Sequence, residues 1–190
     1  MLFIIAWSSV GFNLSEVYNP VMGTFFPFQD REEPKPSLTQ PQFTPAISLI
    51  EAREIGRRLM AAEARANNFS IIEEHMLAYD PAKALYRYVV KSDRDIRDNW
   101  GSTMVYFDAT TGEYRATYIA TGEAIGDTIT HWLFSLHMAA VWGTPFKVFV
   151  AAVGLAVAML SVTGIIIWHR KRCARLIGRR RADSRKLAPD

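Results

Sequence analysis

Hydrophobic and polar positions follow three rhythms along this chain, and each predicts a different element. In SLIEAREIGRRLMAAEARAN, starting at Ser48, the residues Ala52, Ile55, Leu59, Ala62 and Ala66 recur every three or four positions, which is the spacing of one helix face. Ser48 and Glu51 stand where a capping box needs them, each side chain able to satisfy a free backbone N–H of the first turn. Past Asn67 and Asn68 the period shortens. Residues 70–79, 84–91, 102–108 and 113–120 are rich in β-branched and aromatic side chains and are separated by Asp, Asn, Pro or Gly, so they predict four strands. In the last of them Tyr114, Ala116 and Tyr118 alternate with Arg115 and Thr117, the pattern of a sheet with one dry face. DATTG at 108–112 predicts a tight turn, with glycine available for a left-handed backbone angle.

The third rhythm has no polar beat. Residues 148–168, VFVAAVGLAVAMLSVTGIIIW, carry no charge over 21 positions, close to the roughly 20 helical residues that cross a hydrocarbon core. The opening MLFIIAWSSVGFNL is apolar for about 14 residues, short for a span, and has neither the basic start nor the small-residue cleavage site of a signal peptide. It reads as the outer half of a transmembrane helix, so that the chain is expected to be the back portion of a larger protein. DREEPKPSLTQPQFTP, with prolines at 34, 36, 41 and 45, predicts an extended tether. The organisation expected is an α+β membrane protein. It has a partial transmembrane helix at 1–17, a proline-rich extracytoplasmic linker at 18–45 and a small helix-plus-antiparallel-sheet domain at 46–122. An interfacial helix at 123–144, a transmembrane helix at 145–169 and a basic cytoplasmic tail at 170–190 follow.

Charge sets the orientation. Residues 170–190 hold nine Lys/Arg against two Asp/Glu, while everything before holds thirteen against seventeen. Basic residues just after a span are retained on the cytoplasmic side, which places the central domain outside; the basic run is a topology signal rather than a nucleic-acid site. The single cysteine, Cys173, falls in this inward segment and reads as a reduced thiol.

SLIEARE, a strand pair and then VYFDATTGEY resemble a PepSY domain, and the flanks AWSSVGFNLSEVYNPVM and LHMAAVWGTPFKVFVAAVGLAVAMLSVTGIIIWHRKR resemble the PepSY-associated transmembrane family. The resemblance covers nearly the whole chain. It implies a bacterial inner-membrane, multi-pass protein, and a family with about four spans of which this chain matches the last two. Members include haem-carrying ferrisiderophore reductases, so the resemblance also implies iron uptake, electron transfer, haem, and a ferric siderophore as substrate.

Chemistry is sparse. No two glycines lie two apart, and neither H-E-x-x-H nor G-x-S-x-G occurs, which leaves out the nucleotide-binding and hydrolase signatures. Glu73, Glu74 and His75 are neighbours in a strand, where adjacent side chains point to opposite faces. The membrane-edge histidines are the candidates. If 126–142 is one helix, His131 and His137 lie about 120° apart around its axis. His131 shares a face with Asp127 and Ser135, and reads first as a polar pair at headgroup level. His137 falls among Leu133, Phe134, Ala140 and Val141. An ionisable group in apolar surroundings at membrane depth points to function, and haem ligation would relieve its cost. The resemblance makes His137 the expected haem ligand, with His131 and His169 behind it. His169 lies about 36 Å of helix beyond Phe146, so it cannot share an iron with His137. A second axial ligand would come from His131 after rearrangement, from Met22, or from helices absent here. Trp132, Trp142 and Trp168 mark the membrane boundaries. Ala151, Gly154, Ala158 and Ser161 form a small-residue face suited to partner helices. A rival reading is a non-catalytic PepSY module that binds or regulates a partner while the helices anchor it; a non-functional fragment is the third.

Overall fold

The computed structural model describes residues 2–29 and 38–186, with side chains described between Phe3 and Arg172. Pro34 and Pro36 of the expected tether, and the side chains of the basic segment with Cys173, lie outside the described residues. The chain divides into two compact units, 1–143 and 144–190.

The first unit opens with helix α1 (Leu2–Asn13) and, after a break at Leu14, helix α2 (Ser15–Phe25). The expected linker at 18–45 is therefore helical over its first eight residues. Pro20 sits inside α2, tolerated because Pro20 and Glu16, whose carbonyl loses its donor, are both exposed. The described end of the linker is no free tether either. Leu38 and Gln42 donate their N–H groups to the carbonyls of Ala82 and Pro81, Ile47 donates to Ala109, and the Tyr79 hydroxyl donates to the Gln42 carbonyl. These bonds strap the segment across two sheet turns.

Helix α3 (Leu49–Ala66) starts as its sequence predicts: Ser48 Oγ accepts the Glu51 N–H at 3.3 Å. Its buried line, however, is Ala52, Gly56 and Met60, with Ile55 and Leu59 flanking it; Ala62 and Ala66 are exposed. Gly56 explains the shift. A Cβ there would come within 2.6 Å of the Tyr88 ring, so the helix beds on the sheet at its one bare position. Burial beneath the helix pushes the Tyr88 phenol up to about 12.

Strands β1 (Ile71–Asp80), β2 (Leu85–Ser92), β3 (Thr103–Asp108) and β4 (Tyr114–Tyr118) form one antiparallel sheet in the order β1-β2-β3-β4. All four begin and end within two residues of expectation. Tyr86, Tyr88, Val90, Val105 and Phe107 face α3 and, with Ile47, Met60, Phe69 and Ile119, make the core. The rings of Tyr86 and Phe107 stack with centroids 5.5 Å apart, and the Tyr86 hydroxyl donates to the Ile47 carbonyl at 2.7 Å. On the outer edge Arg53 and Arg57 both bind Glu74. These hydrogen bonds, Arg57's first, hold its carboxyl down at about 2.

The dry face expected of β4 is corrected by a bulge. Phe107 pairs with Tyr114 but Tyr106 pairs with Ala116, leaving Arg115 unmatched. One extra residue turns Tyr114 and Ala116 to opposite faces; Tyr114 shares the face of Phe107 but is exposed. Tyr118 consequently projects from the face opposite α3, where helix α4 (Ile125–His137) lies.

Helix α4 ends at His137, five residues short of the expected 142, and the interfacial segment 123–144 is broken between 138 and 142, its last two residues already belonging to the next helix. Ala139 (φ 48°) and Trp142 (φ 57°) adopt left-handed backbone angles, which an α-helix of L-residues cannot accommodate. The turn is closed instead by Met138 and Ala140 N–H groups bonding to Phe134 and Ser135 carbonyls. From the loop before β3, Asp98 takes the Gly143 N–H at 2.7 Å and donates its own N–H to Ala140.

Helix α5 (Gly143–Lys186) belongs almost wholly to the second unit. Its first 30 residues, Gly143–Arg172, are long and apolar enough to cross a membrane, and they contain the span expected at 145–169. The backbone of the basic segment continues the same helix as far as Lys186, rather than forming a separate tail.

Candidate functional site

The site grows from two helices that have little in common as sequences. α1 is apolar except for Ser8, Ser9 and its terminal Asn13. Gly11 lets it approach α4, since a Cβ there would lie 2.8 Å from the Phe134 ring. Phe12 then stacks on Phe134 with centroids 4.2 Å apart. That pairing brings the Ser8 side of α1 to the last turn of α4, where His137 sits.

His137 is half-buried. Its Nδ1 lies 2.7 Å from Ser8 Oγ, and its ring meets Phe12 edge-on at 5.2 Å. Ser8 is fully buried, and its hydroxyl also lies 2.5 Å from the Ile4 carbonyl and 3.1 Å from that of Ile5. A hydroxyl has one hydrogen to give, and a carbonyl can only accept. With that hydrogen directed at the helix backbone, Ser8 Oγ accepts the proton carried by Nδ1. Nδ1 is then occupied, and Nε2 has no hydrogen-bond partner among the described residues. A hydrogen bond to the other ring nitrogen is what orients a metal-binding imidazole.

The expected wall around His137 is only partly present. Phe134 is there, but Ala140 and Val141 lie beyond the end of α4 and so do not continue its face. Phe12 of α1 takes their place.

His131 is held differently. Its Nε2 is 2.8 Å from the Tyr118 hydroxyl, which donates to Asp127 Oδ1 at 3.3 Å. Asp127 is fully buried and also accepts the Gln29 N–H at 2.7 Å. Because the phenol gives its hydrogen to the carboxylate, His131 supplies the other from Nε2. The i,i+4 pair read from sequence is thus built into a wider network that links β4, α4 and the segment after α2. Gly126 permits the closeness, since a Cβ there would lie 2.7 Å from the Pro27 carbonyl.

The structure does not bring His131 and His137 together: they use different elements, Tyr118 of β4 and Ser8 of α1. His169 lies on the exposed surface of α5. Met22 is buried beside Tyr18 on the inner face of α2. Of Glu73, Glu74 and His75, the structure brings together only Glu73 and His75, whose Nδ1 lies 3.8 Å from Glu73 Oε1. Glu74 turns to the arginines and His75 packs edge-on against Trp100 at 4.3 Å. Among the described residues no group of three or more His, Cys, Asp or Glu is placed to hold a metal ion.

Sequence reasoning missed Ser8 and Tyr118. The signal for Ser8 was present, two adjacent hydroxyls at 8 and 9 inside an otherwise apolar opening. Tyr118 was hidden by the β4 bulge.

A four-stranded antiparallel sheet with one helix on its face, joined to apolar helices one of which is long enough to span a bilayer, defines a membrane-associated α+β module. Residues 1–171 match the PepSY-associated TM region family, and the chain belongs to it. Comparison with curated proteins returns no match.

Proposed function

We propose that this chain is a haem-binding electron-transfer component of iron acquisition, acting on ferric chelates such as siderophores, with His137 Nε2 as the iron ligand. The observation that carries the reading is the Ser8–His137 contact. It occupies Nδ1 and leaves Nε2 as the atom available to a ligand at the end of α4, between aromatic side chains and beside an apolar helix. Haem would supply one-electron chemistry there. The chain's own residues do the rest: Ser8 retains the Nδ1 proton and sets the ring's orientation, while Phe12 and Phe134 keep water from one side of the imidazole.

His131 and His169 remain the weaker candidates of the reading. His131 is already bonded through Nε2 to Tyr118, and would have to leave that network to bind iron. Met22 or a helix from another chain is an alternative second ligand. The same reading places the chain in a bacterial inner membrane, with the sheet domain outside and the basic end of α5 in the cytoplasm, because basic residues are retained on that side.

An absorbance scan of the protein purified in detergent with haem supplied tests the proposal. A Soret band that vanishes in His137→Ala and persists in His131→Ala is the expected result. A wild-type protein that stays colourless, or a band indifferent to His137→Ala, would overturn it and leave a membrane-anchored binding module.

A further inference from the structure

Helix α2 carries two apolar lines, and the described residues cover only one of them. Tyr18 and Met22 are 1% and 5% exposed and point inward. Leu14 at the N-cap, with Val17, Val21 and Phe25, recurs at steps of three, four and four residues, yet these side chains are 51%, 49%, 37% and 73% exposed. At 100° per residue they occupy an arc of about 80°, directly beside the buried line. Ser15, Glu16, Asn19 and Gly23 fall on the opposite arc, and Glu16 is the only charged residue in positions 1–29. The helix is amphipathic, but its apolar arc is wider than its contact with the rest of the fold.

We infer that α2 lies in the plane of the membrane surface, with Leu14, Val17, Val21 and Phe25 inserted at the boundary between headgroups and acyl chains. The occupant of this face is lipid because of what the helix is continuous with. α2 packs on α1, and α1 packs on α4. Trp132 of α4 lies against Trp142, ring centroids 6.2 Å apart, and both indoles are exposed. Trp142 immediately precedes Gly143, where the membrane-crossing stretch begins. A tryptophan pair at that position marks the level of the bilayer surface, and α1 presents Phe3 and Phe12 outward from the same assembly. A helix with one polar arc, one apolar arc and little charge immerses its apolar side about 5–10 Å into the interface. The inference does not depend on haem binding.

The test uses the full chain with Cys173→Ser, carrying single cysteines Val21→Cys or Asn19→Cys labelled with an environment-sensitive fluorophore. The protein is reconstituted in vesicles of phosphatidylcholine and phosphatidylglycerol, with bromine placed on the acyl chains near the headgroup. Brominated lipid should quench the probe at 21 several-fold more than the probe at 19, and aqueous iodide should show the reverse order. A probe at Phe25→Cys should repeat the behaviour of position 21, and neither side chain has core contacts whose loss would unfold the protein. Equal iodide quenching at 19 and 21 would overturn the inference. Shielding of position 21 from both quenchers would overturn it as well, since protein, a second copy or another subunit, would then be the covering surface.

Discussion

The layer formed by α3 and the sheet and the layer formed by α1, α2 and α4 are built on different principles. In the first, each element carries its own instruction: a cap at Ser48, a bare position at Gly56, alternating strands, and an aromatic core closed on itself. In the second, each helix is underdetermined alone. α1 is described over 12 residues and α2 has a proline, while α4 is followed by a turn in which Ala139 and Trp142 take left-handed backbone angles. What organises them is a few long-range contacts, Ser8 to His137, Tyr18 to Thr130 at 3.0 Å, and Gln29 to Asp127. The locally specified layer supplies stability, and the layer specified at a distance holds the polar groups from which chemistry can be built.

Three measurements can break or sharpen that contrast. The largest effect is expected for Gly101→Val in the loop before β3. A Cβ at 101 would lie 2.2 Å from the Val90 carbonyl oxygen and 2.5 Å from the Lys91 nitrogen, and backbone cannot yield as a side-chain tip can. Thermal unfolding in detergent should show a loss of at least about 3 kcal/mol, the upper range for overpacking. A stability near wild type would mean that the sheet layer is not as closed as described.

Ser8→Ala is next, and it addresses the other layer. Removing the hydroxyl should lower the unfolding midpoint less than Gly101→Val does while weakening haem retention by roughly 10- to 100-fold, the usual effect of deleting the group that orients a metal-binding imidazole. Titration of the purified protein with haem, followed by absorbance, reads the difference. A large loss of stability with unchanged affinity would make Ser8 a structural residue.

The smallest effect belongs to Glu74→Gln. Its folded-state value of about 2 lies below the ordinary 4.5. The bonds from Arg57 and Arg53 therefore stabilise the fold fully above pH 4.5, and that contribution disappears as the pH falls toward 2. The pair is partly exposed, so the contribution is under about 1 kcal/mol. The variant should lose that small contribution at neutral pH and converge with wild type as the pH falls toward 2, so its stability profile should be flatter across this window. An unaltered acid limb would show that the two arginines act through their alkyl stems.

The same contrast explains what could be read from the residues alone. The Ser48 cap, the four strands and the DATTG turn were legible, because propensity, period and turn chemistry agree over a few neighbouring positions. Gly112 does take a left-handed angle, φ 73°. The apolar span was legible for the same reason. Errors arose where one residue changed the geometry against its surroundings. Arg115 bulged out of β4 and reversed Tyr118; Ala139 ended α4 before its apolar pattern stopped; Pro20 was carried inside a helix because its neighbours face outward. In the candidate site, His137 was singled out for an apolar setting that the structure keeps only in part, with Phe12 standing where Ala140 and Val141 were expected. Its partner was not, since nothing in a chain's local pattern joins position 8 to position 137. That pairing follows from Gly11 and Phe12 docking on Phe134, which is visible only in three dimensions.

Trp142 gives one last consequence. Its φ of 57° is an angle at which glycine rests easily, whereas a residue with a Cβ is disfavoured there by about 1–2 kcal/mol. Its indole is 62% exposed and lies against Trp132 with ring centroids 6.2 Å apart. The same backbone angle aims a large ring outward at the corner before α5. On the membrane-surface placement inferred for α2, that ring would hold the corner at the level of the headgroups.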